Sequence, residues 1–119
     1  MSITNIVGVT FAVSDMARTV EFYKKLGFNV AFGAVNSEFV TLSASGAYVN
    51  LVLRPGYEGQ WWGRTIFRVD SADAQFAIAL AEGLKPDEPR DAAWGERYFH
   101  IVDPDGHELS FAEVLPGQT

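Results

Sequence analysis

The side chains able to do chemistry are few. Two histidines, His100 and His107, stand among 15 carboxylates and nine lysines and arginines, with no cysteine at all. That composition removes disulfides, thiolate metal sites and thiol nucleophiles. His100 lies one step beyond Phe99 and two beyond Tyr98, and a near-neutral imidazole beside a phenol suits acid–base work. A hydrogen-bonded structural histidine fits the same pattern. His107 follows Asp103-Pro104-Asp105-Gly106, where proline and glycine favour a tight turn over a carboxylate cluster. His107-Glu108 lacks the second histidine of a zinc helix motif. Arg64, with Arg68 beside it, offers a fork for a carboxylate or a ring, or an ion-pair partner for Glu108 or Glu96. Trp61 and Trp62 fall in a turn-rich stretch with Tyr57, and Trp94 precedes the run ending at His100. Such rigid aromatics can hold a planar ligand by stacking, or pack at an interface. There is no glycine-rich phosphate loop, nucleophile elbow or nucleotide fingerprint, so no cofactor is expected.

The elements that must position these groups follow from periodicity. Residues 7–13 alternate, with Val7, Val9, Phe11 and Val13 on one face and Gly8, Thr10 and Ala12 on the other, which predicts a strand. Ser14 or Asp15 can cap a helix carrying Ala17, Val20, Phe22, Tyr23 and Leu26, and Gly27 ends it. Strand patterns follow near 28–35, 38–44 and 47–54. The pattern then restarts. Residues 64–69 alternate, Asp70 or Ser71 can cap a helix carrying Phe76, Ile78, Leu80 and Ala81, and Gly83 closes it. Later strands are expected near 84–88, 96–102 and 107–113, with 86–95 as a polar loop. A shift of 56 residues pairs Phe11 with Phe67, Val13 with Val69, Val20 with Phe76, Gly27 with Gly83 and Phe28 with Leu84. Five matches at one offset indicate an internal repeat. The expectation is one α+β domain over 1–119 made of two βαβββ modules, about 3–54 and 64–115, joined by a linker over 55–63.

The segment Val13-Ser14-Asp15 leading to Glu21-Phe22-Tyr23-Lys24-Lys25-Leu26-Gly27-Phe28 resembles the opening module of the vicinal oxygen chelate superfamily, the glyoxalase, bleomycin-resistance and extradiol dioxygenase group. Trp94-Gly95-Glu96-Arg97-Tyr98 and Asp103-Pro104-Asp105-Gly106-His107-Glu108-Leu109 resemble its closing hairpin. The resemblance implies curled mixed sheets that form a cup, helices outside, and two cups completed by a homodimer. Members that use metal take four ligands from the cup. By spacing those positions fall at Gly8, Asn50, Arg64 and Ser110. None is a histidine or carboxylate, and Arg64 brings a fixed positive charge, so no metal is expected. The resemblance then points to the metal-lacking antibiotic-binding members.

By parity, every strand except the second and sixth splits into an apolar side and a mixed polar–aromatic side, the composition of a ligand pocket. The expected ligand-binding residues are Phe39, Tyr48, Asn50, Trp61, Trp62, Arg64, Trp94, Tyr98, His100 and Ser110. Asn50 and Ser110 are also candidate partners for each other. The leading expectation is metal-independent binding of an aromatic or partly anionic small molecule, as in drug sequestration. The alternative is a lyase or isomerase using His100 and Tyr98 or an unusual metal site, and a third is a dimer with a vestigial pocket. A net charge of −6 with scattered bases argues against nucleic acid. No apolar run is long enough for a membrane span and the first residues lack the basic flank of a leader, so a cytoplasmic protein is expected.

Overall fold

The computed structural model describes residues 1–117. The chain divides into two compact units, 1–58 and 59–119, each with its own sheet and helix. No helix among the described residues is long and apolar enough to cross a membrane.

The first unit runs β1 (Val9–Val13), α1 (Met16–Lys25), β2 (Asn29–Phe32), β3 (Phe39–Ala44) and β4 (Ala47–Leu53). Its sheet has the order β1-β4-β3-β2, with β1 parallel to β4 and the other neighbours antiparallel. The Asp15 carboxylate accepts from the Arg18 amide and caps α1. Met16, Thr19, Val20 and Tyr23 recur at helical spacing and are the helix's buried face. They close over Phe11, Val13, Val40, Leu42, Val49 and Leu51, all nearly or wholly buried. The β3–β4 turn is set by two successive positive φ angles, 47° at Ser45 and 84° at Gly46. That is the twist a two-residue hairpin needs, and it fixes the pairing of Ala44 with Ala47.

The second unit repeats the plan: β5 (Arg64–Arg68), α2 (Ala72–Ala81), β6 (Arg90–Asp91), β7 (Glu96–Val102) and β8 (Glu108–Val114). The sheet order is β5-β8-β7-β6, again with one parallel pair, β5 with β8. Ser71 caps α2 by accepting from the Ala74 amide, as Asp15 does 56 residues earlier. Both helices end on a glycine with positive φ, 110° at Gly27 and 78° at Gly83. After each, the next amide reaches back to the helix, Phe28 to the Tyr23 carbonyl and Leu84 to the Ala79 carbonyl. These are left-handed glycine stops, and they align by the internal repeat. The core is aromatic: Phe99 stacks on Phe111, Phe111 on Phe67, and Phe76 meets Phe99 edge-on.

The fold is α+β and matches two βαβββ modules. Three sequence expectations need correction in detail. The first strand begins at Val9, and Val7 is exposed. In α2 the buried residues are Ala72 and Ala79, while Ile78 and Leu80 are about half exposed. One hundred degrees of turn per residue carries Ile78 off the line through Ala72, Phe76 and Ala79. Residues 84–88 form no strand; β6 is only Arg90–Asp91. Pro86 and Pro89 lack the amide hydrogens a ladder needs. Asp87 instead donates its amide to the His100 carbonyl and accepts the His100 amide on its side chain.

Phe99 is wholly buried against Phe76 and Phe111. Phe99→Ala is expected to cost about 3–5 kcal/mol, read as a lower urea midpoint by circular dichroism.

Candidate functional site

Each sheet has one face under its helix and one open face. In the second unit, strand parity puts Arg64, Ile66 and Arg68 of β5 on the open face. Glu108, Ser110 and Ala112 of β8 and Glu96, Tyr98 and His100 of β7 join them. Register aligns these side chains in rows: Arg64 opposite Glu108, Ile66 and His100 flanking Ser110, Arg68 and Tyr98 flanking Ala112. The result is a concavity of about 270 Å³ lined by Arg64, Ile66, Trp94, Glu96, Tyr98, His100, Ser110 and Ala112. That is close to the lower size limit of small-molecule sites.

Rings form one wall. Trp94 stacks on Tyr98 with centroids 5.9 Å apart, and Tyr98 sits 5.2 Å from His100. Arg90 covers the Tyr98 ring at 4.4 Å and donates to its hydroxyl at 3.0 Å. Trp94 is 68% exposed, so the ring face away from Tyr98 is available for stacking.

Two cross-strand ion pairs form the rest. Arg64 Nε donates to Glu108, and Arg68 meets Glu96 at 2.7 Å while also donating to the Ala112 carbonyl. Glu96 accepts a second bond from the Trp94 indole at 2.8 Å. Hydrogen bonds from Arg68 and Trp94 hold the Glu96 carboxyl below the ordinary range. For Glu108, burial pushes the carboxyl up, but hydrogen bonds from Arg64 and Trp61 outweigh it and the net shift is down. His100 moves the other way from a paired histidine. Burial lowers it, with Arg64 and Arg90 adding to the effect and Glu108 and Asp87 opposing it. The net shift favours the neutral imidazole.

Five of the ten expected site residues, Arg64, Trp94, Tyr98, His100 and Ser110, line this one concavity. Trp61 and Trp62 are not on its lining. Trp62 donates to His107 Nδ1 at 2.8 Å, and Trp61 donates to Glu108 and lies 5.8 Å under the Arg64 guanidinium. His107 itself is buried in the turn, where Asp103 accepts the amides of Asp105 and His107. Phe39, Tyr48 and Asn50 belong to the open face of the first unit. There Thr41 donates to the Asn50 carbonyl oxygen at 2.7 Å and Asn50 donates to Thr10 at 3.3 Å, between the partly exposed rings of Phe39 and Tyr48. Asn50 thus takes its partners from its own sheet. Ile66, Glu96 and Ala112 also line the concavity and were missed. Alternation along β5 marks Ile66 as a neighbour of Arg64, and alternation along β7 and β8 marks Glu96 with Tyr98 and Ala112 with Ser110 in the same way.

The residues at the superfamily's metal positions do not fit a divalent ion. Gly8 has no side chain, the Asn50 oxygen is already engaged by Thr41, Arg64 is a cation, and Ser110 is a lone neutral hydroxyl. No group of three or more histidine, aspartate or glutamate side chains among the described residues is placed to hold a metal.

The Glyoxalase/Bleomycin resistance protein/Dioxygenase superfamily model matches residues 5–111, and the chain belongs to that superfamily. A bleomycin-binding protein complexed with bleomycin superposes with a TM-score of 0.78 at 20% identity, over 93% of this chain and 98% of that one. An antibiotic-binding protein from Streptomyces sp. CB03234, TnmS3, gives 0.73 at 25% identity, over 96% and 98%. Lactoylglutathione lyase from Agrobacterium tumefaciens gives 0.75 at 15% identity, over 95% and 96%. Comparison with curated proteins returns no match.

A depressed His100 means that the unfolded chain takes up a proton before the folded one does. Stability from this group is present above the ordinary imidazole range and is lost as pH falls through it. The His100 imidazole is expected to titrate below free histidine in an NMR pH series. In His100→Gln the fall in thermal midpoint between pH 8 and pH 5.5 is expected to shrink.

Proposed function

We propose that this protein binds a planar aromatic small molecule on the open face of its second unit, without a metal, and holds it without turnover. The observation that carries this reading is the Trp94–Tyr98–His100 ring wall set against two arginine–glutamate pairs around one concavity. An exposed indole face contributes stacking, while the buried Ser110 and Ala112 form a floor for an apolar ring. Similarity to bleomycin-binding and antibiotic-binding structures supports binding over catalysis, and drug sequestration is the form we favour. Lactoylglutathione lyase shares the frame, so the frame alone does not choose.

A second reading, a lyase or isomerase with His100 and Tyr98 as acid–base groups, has the neutral imidazole beside the phenol in its favour. It requires His100→Gln to abolish turnover of an identified substrate. Binding requires only saturation. Intrinsic tryptophan fluorescence, titrated with a panel of planar antibiotics and aromatic metabolites, is expected to quench saturably. Trp94→Ala is expected to weaken the best ligand by about fivefold to tenfold, from roughly 1 kcal/mol of stacking. Unchanged affinity in that variant sinks the assignment.

The same reading includes a homodimer in the cytoplasm. The support for the dimer is the apolar surface left exposed on β2 and β3 at Phe32 and Phe39, which share one face of the sheet. Light scattering is expected to give twice the chain mass of 13.1 kDa.

A further inference from the structure

Among the described residues, one buried side-chain polar atom has no hydrogen-bond partner: Nδ1 of His100. The other ring nitrogen, Nε2, is not among such orphaned buried atoms, and His100 lines the concavity. A neutral imidazole carries a single N–H. Placing it on Nδ1 would bury an orphaned donor, which folded proteins avoid more strictly than an orphaned acceptor. The proton therefore sits on Nε2, and His100 presents a donor.

Its neighbours bias the site the same way. Arg64 gives Nε to Glu108, while Nη1 and Nη2 have no partner among the described residues. The carboxylates are already engaged. Glu108 accepts from Arg64 and Trp61, and Glu96 accepts from Arg68 and Trp94. Asp87, the remaining carboxylate near His100, accepts the His100 amide and pairs with Arg90. Open donors remain on Arg64 and His100, and each nearby carboxylate is paired with an arginine; Glu108 takes both of its bonds on Oε2.

The geometry points to one ligand class: a flat ring bearing a hydrogen-bond acceptor, a carbonyl or carboxylate oxygen, received by His100 Nε2–H and the Arg64 fork. This rests on the proposed binding function and narrows it. His100 here acts as a donor that orients the ligand; a base would need the reverse tautomer.

The test uses four probes of one shape: naphthalene, 2-acetylnaphthalene, 2-naphthoate and protonated 2-naphthylmethylamine, titrated calorimetrically against the purified chain. The ketone and the carboxylate are expected to bind about tenfold tighter than naphthalene, the effect of one good hydrogen bond to a desolvated group. The ammonium is expected to gain nothing. In His100→Leu the ketone loses most of its advantage over naphthalene, and in His100→Gln, which keeps an amide donor, part of it returns. Nitrogen-15 NMR of the imidazole, with no ligand present, is expected to report the proton on Nε2. A proton on Nδ1, an ammonium that binds best, or a ketone advantage that survives in folded His100→Leu overturns the inference. Equal binding of all four probes overturns it while leaving ring binding intact. Binding of none overturns both.

Discussion

Strand β8 lies between β5 and β7, and the contacts of the second unit's open face follow from its register. Leu109 and Phe111 point under α2 and are almost wholly buried, so Glu108, Ser110 and Ala112 must point the other way. A slip of one residue would drive Leu109 and Phe111 onto the open face and lose several kcal/mol of burial. The core therefore fixes the register, and the register sets Arg64 against Glu108 and His100 against Ser110. The ion pairs are partly exposed, and each contributes at most about 1 kcal/mol. They shape the site; the aromatic core behind them holds it.

The two units use one frame for unlike surfaces. On the first, Thr10, Asn50 and Thr41 form an uncharged hydrogen-bonded row across three strands. On the second, corresponding strands carry arginines and glutamates. Gly8 and Arg64, separated by the same 56-residue offset as the helix caps, differ most of all: one offers no side chain, the other a fixed cation. Superfamily membership says that the frame hosts many chemistries, and these residues decide which of them is open here.

Much of the frame was legible from periodicity. Period-two alternation marked six of the strands, whereas β2 is exposed along its whole length and carries no such split, and Asp15, Ser71, Gly27 and Gly83 marked both helix ends by local chemistry alone. The failures have local causes too. Ile78 and Leu80 are apolar yet face away from the sheet, so counting hydrophobic residues misled where angular position decided. Residues 84–88 read as a strand, but the ladder role passed to the Asp87 side chain. At the site, parity placed Tyr98, His100, Arg64 and Ser110 on one face. It was silent on pairing. Whether Arg64 meets Glu108 or Glu96, and whether Asn50 meets Ser110 or Thr41, depends on three-dimensional neighbours that spacing does not encode.

The parallel pairs carry a kinetic meaning. Val9 meets Val49 and Arg64 meets Glu108, so each parallel ladder closes a loop of roughly forty residues inside its own unit. Parallel pairing across a whole chain is slow to find, because long loops lose entropy before any contact rewards them. Duplication divides that search into two shorter ones, each with its own cap, stop signal and hydrophobic nucleus. A lesion in one ladder leaves the other able to nucleate, which gives half of the chain freedom to vary its exposed face while its twin preserves the topology.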